Sequence, residues 1–173
     1  MTRASLALAA VCLAAGVWAA VGIMSLLPPS GAVGGWSIVP GADKKGCTAA
    51  DFYSMYDGAA PEMMQAGVIA AGQRVYQRGS KRLTLDLFRF KTVGQAQAYY
   101  GQRKAEIAGK PAFWTCSGAN RGVARCVCGR TYVSYQWTGH YYCTMSVNGT
   151  SGVEKTALWA FTTYLNQQIA ASH

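Results

Sequence analysis

The chain predicts a single α+β domain: an antiparallel sheet of about five strands, packed on one face by two longer helices and preceded by an N-terminal signal segment. Three observations carry that expectation. Residues 4–27 hold no charge after the lone Arg3. Two later stretches repeat apolar side chains at helical spacing, and several short runs alternate apolar and polar side chains between glycine-bearing turns.

The uncharged stretch from Ala4 to Leu27 stops at Pro28-Pro29. A basic start, an apolar helix and small residues near its end are what an export signal needs. Val17 and Ala19 satisfy the small-x-small requirement for cutting after Ala19, so residues 1–19 read as a signal peptide. Roughly 20 apolar residues also suffice to cross a bilayer, so residues 4–27 could instead serve as an inner-membrane anchor. Either way the product is exported, periplasmic or secreted, and about 150 residues remain, enough for one domain.

Residues 20–46, rich in Gly31, Gly34, Gly35, Pro40 and Gly41, read as an irregular lead-in, with Trp36 and Ile38-Val39 available for burial. Residues 47–173 form the α+β domain proper. Thr48 caps a first helix with Asp51 three positions on, Phe52, Met55 and Tyr56 share its inner face, and Asp57-Gly58 ends it. Pro61 opens a short second turn that Gly67 closes. Val68–Arg78 and Lys81–Phe90 form a hairpin around Gly79-Ser80, with Leu83, Leu85 and Leu87 alternating against Thr84 and Asp86. Thr92 to Ile107 is the second good helix. Val123–Cys128, Thr131–Trp137 and His140–Val147 form a meander with turns at Gly129-Arg130 and Thr138-Gly139. A last amphipathic helix, about Val153 to Ala170, carries Leu158, Phe161, Leu165 and Ile169 on one stripe. Asn148-Gly149-Thr150 matches a glycosylation sequon and reads as the turn after the last strand.

The net charge is +9, from 16 basic and 7 acidic side chains. Such a balance suits an anionic membrane surface or solubility. Nucleic acid is disfavoured, because the densest basic group (Arg74, Arg78, Lys81, Arg82, Arg89, Lys91) surrounds a hairpin and is not interleaved with aromatics along one helix.

Leu26-Leu27-Pro28, Gly35-Trp36, Phe52-Tyr53-x-x-Tyr56-Asp57-Gly58-Ala59-Ala60-x-Glu62 and Trp137-x-Gly139-x-Tyr141-Tyr142 resemble the exported bacterial family catalogued as domain of unknown function 6599. The chain departs from that family's pattern at Asp57, where Asn is usual, and at Pro61, inserted before Glu62. The resemblance implies an exported α+β domain and carries no activity.

Five cysteines, Cys47, Cys116, Cys126, Cys128 and Cys143, follow the signal and are disulfide candidates in an oxidising compartment. Five is odd, so one thiol stays free or bonds another chain. With a Thr138-Gly139 turn, Ser134 pairs with Cys143 and Trp137 with His140. Cys126 and Cys128 then share a face with Val133, Tyr135 and His140, while Cys143 faces away and looks to Cys47 or Cys116. Cys126, Cys128, His140 and Cys143 could otherwise supply four soft ligands to zinc or form a redox centre.

Asp57 and Glu62 are the candidate acid and base of a hydrolase, since that chemistry needs two carboxylates in different environments. Their structural roles compete: Asp57 ends a helix and Glu62 sits in a first turn, where its charge favours the dipole. No Gly-x-Ser-x-Gly elbow, phosphate loop or dinucleotide motif is present, so no cofactor is implied. Tyr132, Tyr135, Trp137, Tyr141 and Tyr142 are dense enough to line a ligand groove on the sheet. The sequence therefore favours a non-enzymatic binding or structural domain, stapled by disulfides, whose partner is a protein or small molecule.

Overall fold

The computed structural model describes residues 22–172. The signal segment assigned to residues 1–19 lies outside the described residues. Eight strands form one antiparallel sheet: β1 (Ser37–Ile38), β2 (Lys44–Gly46), β3 (Val68–Arg78), β4 (Lys81–Phe90), β5 (Trp114–Gly118), β6 (Arg121–Cys128), β7 (Thr131–Thr138) and β8 (Tyr141–Asn148). Their order is β1-β3-β4-β8-β7-β6-β5, with β2 beside β1 on the outer side of β3. The sheet is larger than the five strands expected. The additions are short: β1 and β2 span two and three residues, too few to show a period of two, and β5 reads Trp-Thr-Cys-Ser-Gly with most of its side chains exposed.

The helices follow their caps. In α1 (Ala49–Tyr56), Thr48 Oγ1 accepts from the Asp51 backbone N–H while Asp51 Oδ2 accepts from the Thr48 N–H, each at 3.0–3.2 Å. A 3-10 turn (Asp57–Ala59) leads into α2 (Ala60–Gln65), with Pro61 in its first turn where the missing N–H costs nothing. Thr92 and Gln95 make the same reciprocal cap on α3 (Val93–Ile107), and Ser151 and Glu154 on α4 (Gly152–Ala171).

The two longer helices lie on opposite faces of the sheet, where one shared face was expected. Alternation along the central strands separates two cores. Leu83, Leu85, Leu87, Cys143, Met145 and Val147 point to α4 and its Leu158, Phe161 and Leu165. Phe88, Phe90, Ala124, Cys126, Trp137 and Tyr142 point to α1, α2 and α3. Strands buried on both faces show weak alternation, which is why β8 carries Tyr141-Tyr142-Cys143 without a polar break.

Residues 22–46, expected to be irregular, close the α4 side. Residues 22–25 are helical, and Ile23, Leu26 and Leu27 are 1%, 6% and 1% exposed. They cover Gly72 on β3, where a Cβ would stand 2.7 Å from Met24 Sδ and 3.2 Å from Ile23 Cγ2. Trp36 meets Phe161 edge-on at 6.0 Å. The end of the proposed 4–27 anchor is thus core of the folded domain. Among the described residues no helix is long and apolar enough to cross a membrane.

The turn between β7 and β8 is Gly139-His140, one residue later than expected, because Gly139 takes φ 56° and its carbonyl accepts from Trp137 Nε1 at 2.8 Å. Cys143 therefore pairs with Gln136 and Trp137 with Tyr142. The partner of Cys143 moves by two residues, so the faces stay as expected.

Candidate functional site

On the α3 side, the sheet, α1–α2 and α3 do not close completely. They leave a cavity of about 300 Å³ whose floor is Asp86, Phe88, Tyr142 and Thr144 and whose walls are Tyr56, Glu62, Met63, Tyr99, Arg103, Glu106 and Tyr135. The local reasons are plain. Asp86 is a charged residue on a central strand with both faces covered, and Tyr56 and Tyr99 reach it from the last turn of α1 and the middle of α3.

The polar groups are arranged in two sets. Asp86 Oδ1 accepts from Gln73 Nε2 at 2.7 Å and from the Tyr56 hydroxyl at 3.1 Å. Its Oδ2 accepts from none of the described side chains. Burial raises the Asp86 carboxyl above its ordinary range, while the Gln73 and Tyr56 bonds and Lys44 pull it back. At the rim, Arg103 donates to both oxygens of Glu106, at 2.9 and 3.1 Å, and to Glu62, and it lies 4.8 Å from the centroid of the Tyr99 ring. Burial pushes the hydroxyls of Tyr56, Tyr99, Tyr135 and Tyr142 upward, so all four rings are neutral donors at physiological pH. Tyr142 meets Tyr99 edge-on at 5.1 Å and Tyr135 at 6.2 Å, which makes a continuous aromatic lining. Three of the seven acidic residues of a basic chain, Glu62, Asp86 and Glu106, thus converge on one tyrosine-lined cavity.

The expected hydrolytic pair is not assembled. Glu62 lines the cavity, but Asp57 is exposed at the end of α1, with φ 43°, and is not among the lining residues. The five aromatic groove residues divide between the two cores: Tyr132 and Tyr141 face α4, whereas Tyr135, Trp137 and Tyr142 face α3. Tyr135 and Tyr142 are the two that reach the cavity. The zinc quartet is likewise split. Cys126 and Cys128 lie on the α3 side with Sγ atoms 3.3 Å apart, Cys143 is buried on the α4 side, and His140 sits in a turn with Nδ1 3.3 Å from the Phe90 carbonyl oxygen. Among the described residues no group of three His, Cys, Asp or Glu side chains is placed to hold a metal. The five cysteines among the described residues are unbonded: Cys116 is exposed, Cys47 and Cys128 partly buried, and Cys126 and Cys143 buried. Burial pushes the Cys126 thiol, beside Cys128, up to about 12.

Sequence reasoning missed Asp86, Tyr56, Tyr99 and Arg103. Asp86 looked like the solvated half of an alternating strand. The usable signal was its position: a carboxylate midway along a hairpin strand of alternating leucines is costly if that strand is central.

No family model and no curated protein matches the chain. The extracellular domain of PknH from Mycobacterium tuberculosis is similar in fold, with TM-score 0.54 over 84% of this chain and 95% of that one and 8% sequence identity. A GTP binding regulator from Thermotoga maritima is similar at TM-score 0.42, 12% identity, and 78% and 77% coverage. At 8% identity the likeness to the PknH domain is one of fold.

Proposed function

We propose that the protein is an exported, non-enzymatic binding domain whose α3-side cavity takes a small ligand bearing an ammonium group. The observation that carries this is Asp86: a carboxylate on the cavity floor whose Oδ2 has no partner among the described residues, surrounded by four neutral tyrosine rings. A cation gains from the carboxylate and from the electron-rich ring faces together. Glu62 and Glu106, already engaged by Arg103, add negative potential at the mouth. Export rests on the leader of residues 1–19 and on the resemblance to the exported family of unknown function.

Titration of the purified protein with phenethylamine, and with neutral phenethyl alcohol as its control, tests the reading. The amine binds, the alcohol does not, and D86N weakens amine binding at least about tenfold. Equal binding of amine and alcohol, or binding untouched by D86N in a folded variant, refutes it. Fractionation with N-terminal sequencing tests export: the mature protein lies outside the cytoplasm and begins at Ala20.

A further inference from the structure

The opposite face of the sheet carries an arginine in a place where a charge is expensive. Where β4 and β8 meet α4 the contact is apolar, but where β6 and β7 meet the same helix the buried side chains are Arg125, Ser134 and Gln136, each at most 1% exposed. Arg125 Nε donates to Ser134 Oγ at 3.2 Å and Nη2 to Thr162 Oγ1 at 3.0 Å. Its guanidinium lies 3.8 Å from the ring centroid of Trp159 and 5.6 Å from that of Trp114.

None of the seven acidic side chains answers this charge. Asp43 binds Arg74, Asp51 caps α1, Asp86 and Glu62 and Glu106 belong to the cavity on the other face, Glu154 binds Lys81, and Asp57 is exposed. Nη1 is buried without a partner. Burial lowers the Arg125 guanidinium to about 10, so it stays charged at neutral pH. An unpaired buried cation is costly, and neutral hydroxyls and ring faces offset only part of that cost.

The residues that hold Arg125 also form a site. Trp159 and Thr162 line a groove of about 510 Å³ between α4, β5 and β6, together with Val123, Arg121 and Asn166. Asn166 in turn takes the amide of Gln136, whose Oε1 is the second buried polar atom on this face without a partner. Trp114 and Trp159 are each 40% exposed and meet edge-on at 5.1 Å over the guanidinium. Arg125 itself does not line the groove, so a ligand reaches Nη1 only where Trp159 or Thr162, which touch both, gives way.

We propose that this groove binds a small monoanionic organic acid. Its carboxylate pairs with Arg125, its apolar body lies against Trp159 and Val123, and Arg121 at the open side draws the anion in. One buried positive charge neutralises one negative charge, whereas a phosphate dianion would leave a net charge in the same dry aromatic surroundings. The site is independent of the ammonium cavity, from which the sheet separates it.

The test uses benzoate, neutral benzamide and inorganic phosphate on the purified protein, read by tryptophan fluorescence and thermal melting. Benzoate changes the fluorescence saturably and, at about tenfold excess over its Kd, raises Tm by about 4 °C. Benzamide and phosphate do neither. R125M abolishes the response to benzoate, and R125K, which keeps the charge without the planar fork, weakens it about tenfold and serves if R125M does not fold. D86N, on the other face, leaves it unchanged. An equal response to benzamide, a response that survives R125M, or no saturable response of the folded parent protein overturns the assignment.

Discussion

Residues 22–28 are required for the domain to fold, although they read as part of an irregular lead-in or as the end of a membrane anchor. Ile23, Leu26 and Leu27 are all but fully buried. At about 1.5–3 kcal/mol for each buried aliphatic side chain, they contribute roughly 5–9 kcal/mol. The backbone adds more. Arg74 Nη1 donates to the carbonyls of Leu27 and Pro28, at 3.3 Å each, and the buried Tyr76 hydroxyl donates to Pro28 at 2.9 Å. Removing the acceptors leaves buried donors unpaired, at about 1–3 kcal/mol apiece. A domain of this size holds only about 5–15 kcal/mol in total. A chain beginning at Ala20 therefore unfolds cooperatively in urea, while one beginning at Pro29 shows no cooperative transition, or a midpoint lowered by more than half. Leu27→Ala in the longer chain costs about 3 kcal/mol. Equal urea midpoints for the two chains, followed by circular dichroism, would refute the burial argument.

Two further outcomes are expected. Glu154 is buried, 2.6 Å from Lys81 Nζ and 2.8 Å from the Ser151 N–H, and its carboxyl is held at about 2, chiefly by Lys81 and then by Ser151. Because the folded value lies below the ordinary one, the stabilisation is present above about pH 4.5 and is lost as pH falls toward 2. E154Q lowers stability by about 1–2 kcal/mol at neutral pH after allowance for solvent screening at the half-exposed Lys81. It also flattens that acid limb in urea melts, and an unchanged limb would sink the assignment. Among the thiols of reduced protein, exposed Cys116 reacts first with a thiol reagent, whereas buried Cys143, whose thiol burial pushes well up, reacts only on unfolding. If the oxidised protein forms an intrachain disulfide, peptide mapping finds it between Cys126 and Cys128, and a bridge from Cys143 to Cys47 or Cys116 would contradict the fold.

Local chemistry in the chain determines its helices and hairpins. Thr48 with Asp51 and Thr92 with Gln95 are caps that act within four residues, and Gly79-Ser80 and Gly129-Arg130 are turns that act within two, so each is legible without knowledge of the rest. The α+β class follows from them. What only the tertiary structure decided is everything that depends on which face meets which helix. β1, β2 and β5 exist because neighbouring strands recruit them, not because of their own pattern. The division of α3 and α4 between opposite faces scattered Tyr132, Tyr135, Trp137, Tyr141 and Tyr142 into two cores. The same division turned Asp86 into a cavity floor and Arg125 into a buried cation. A charged side chain on a strand reads as solvated until the strand's place in the sheet is known, since burial is set by long-range packing and not by the residues beside it.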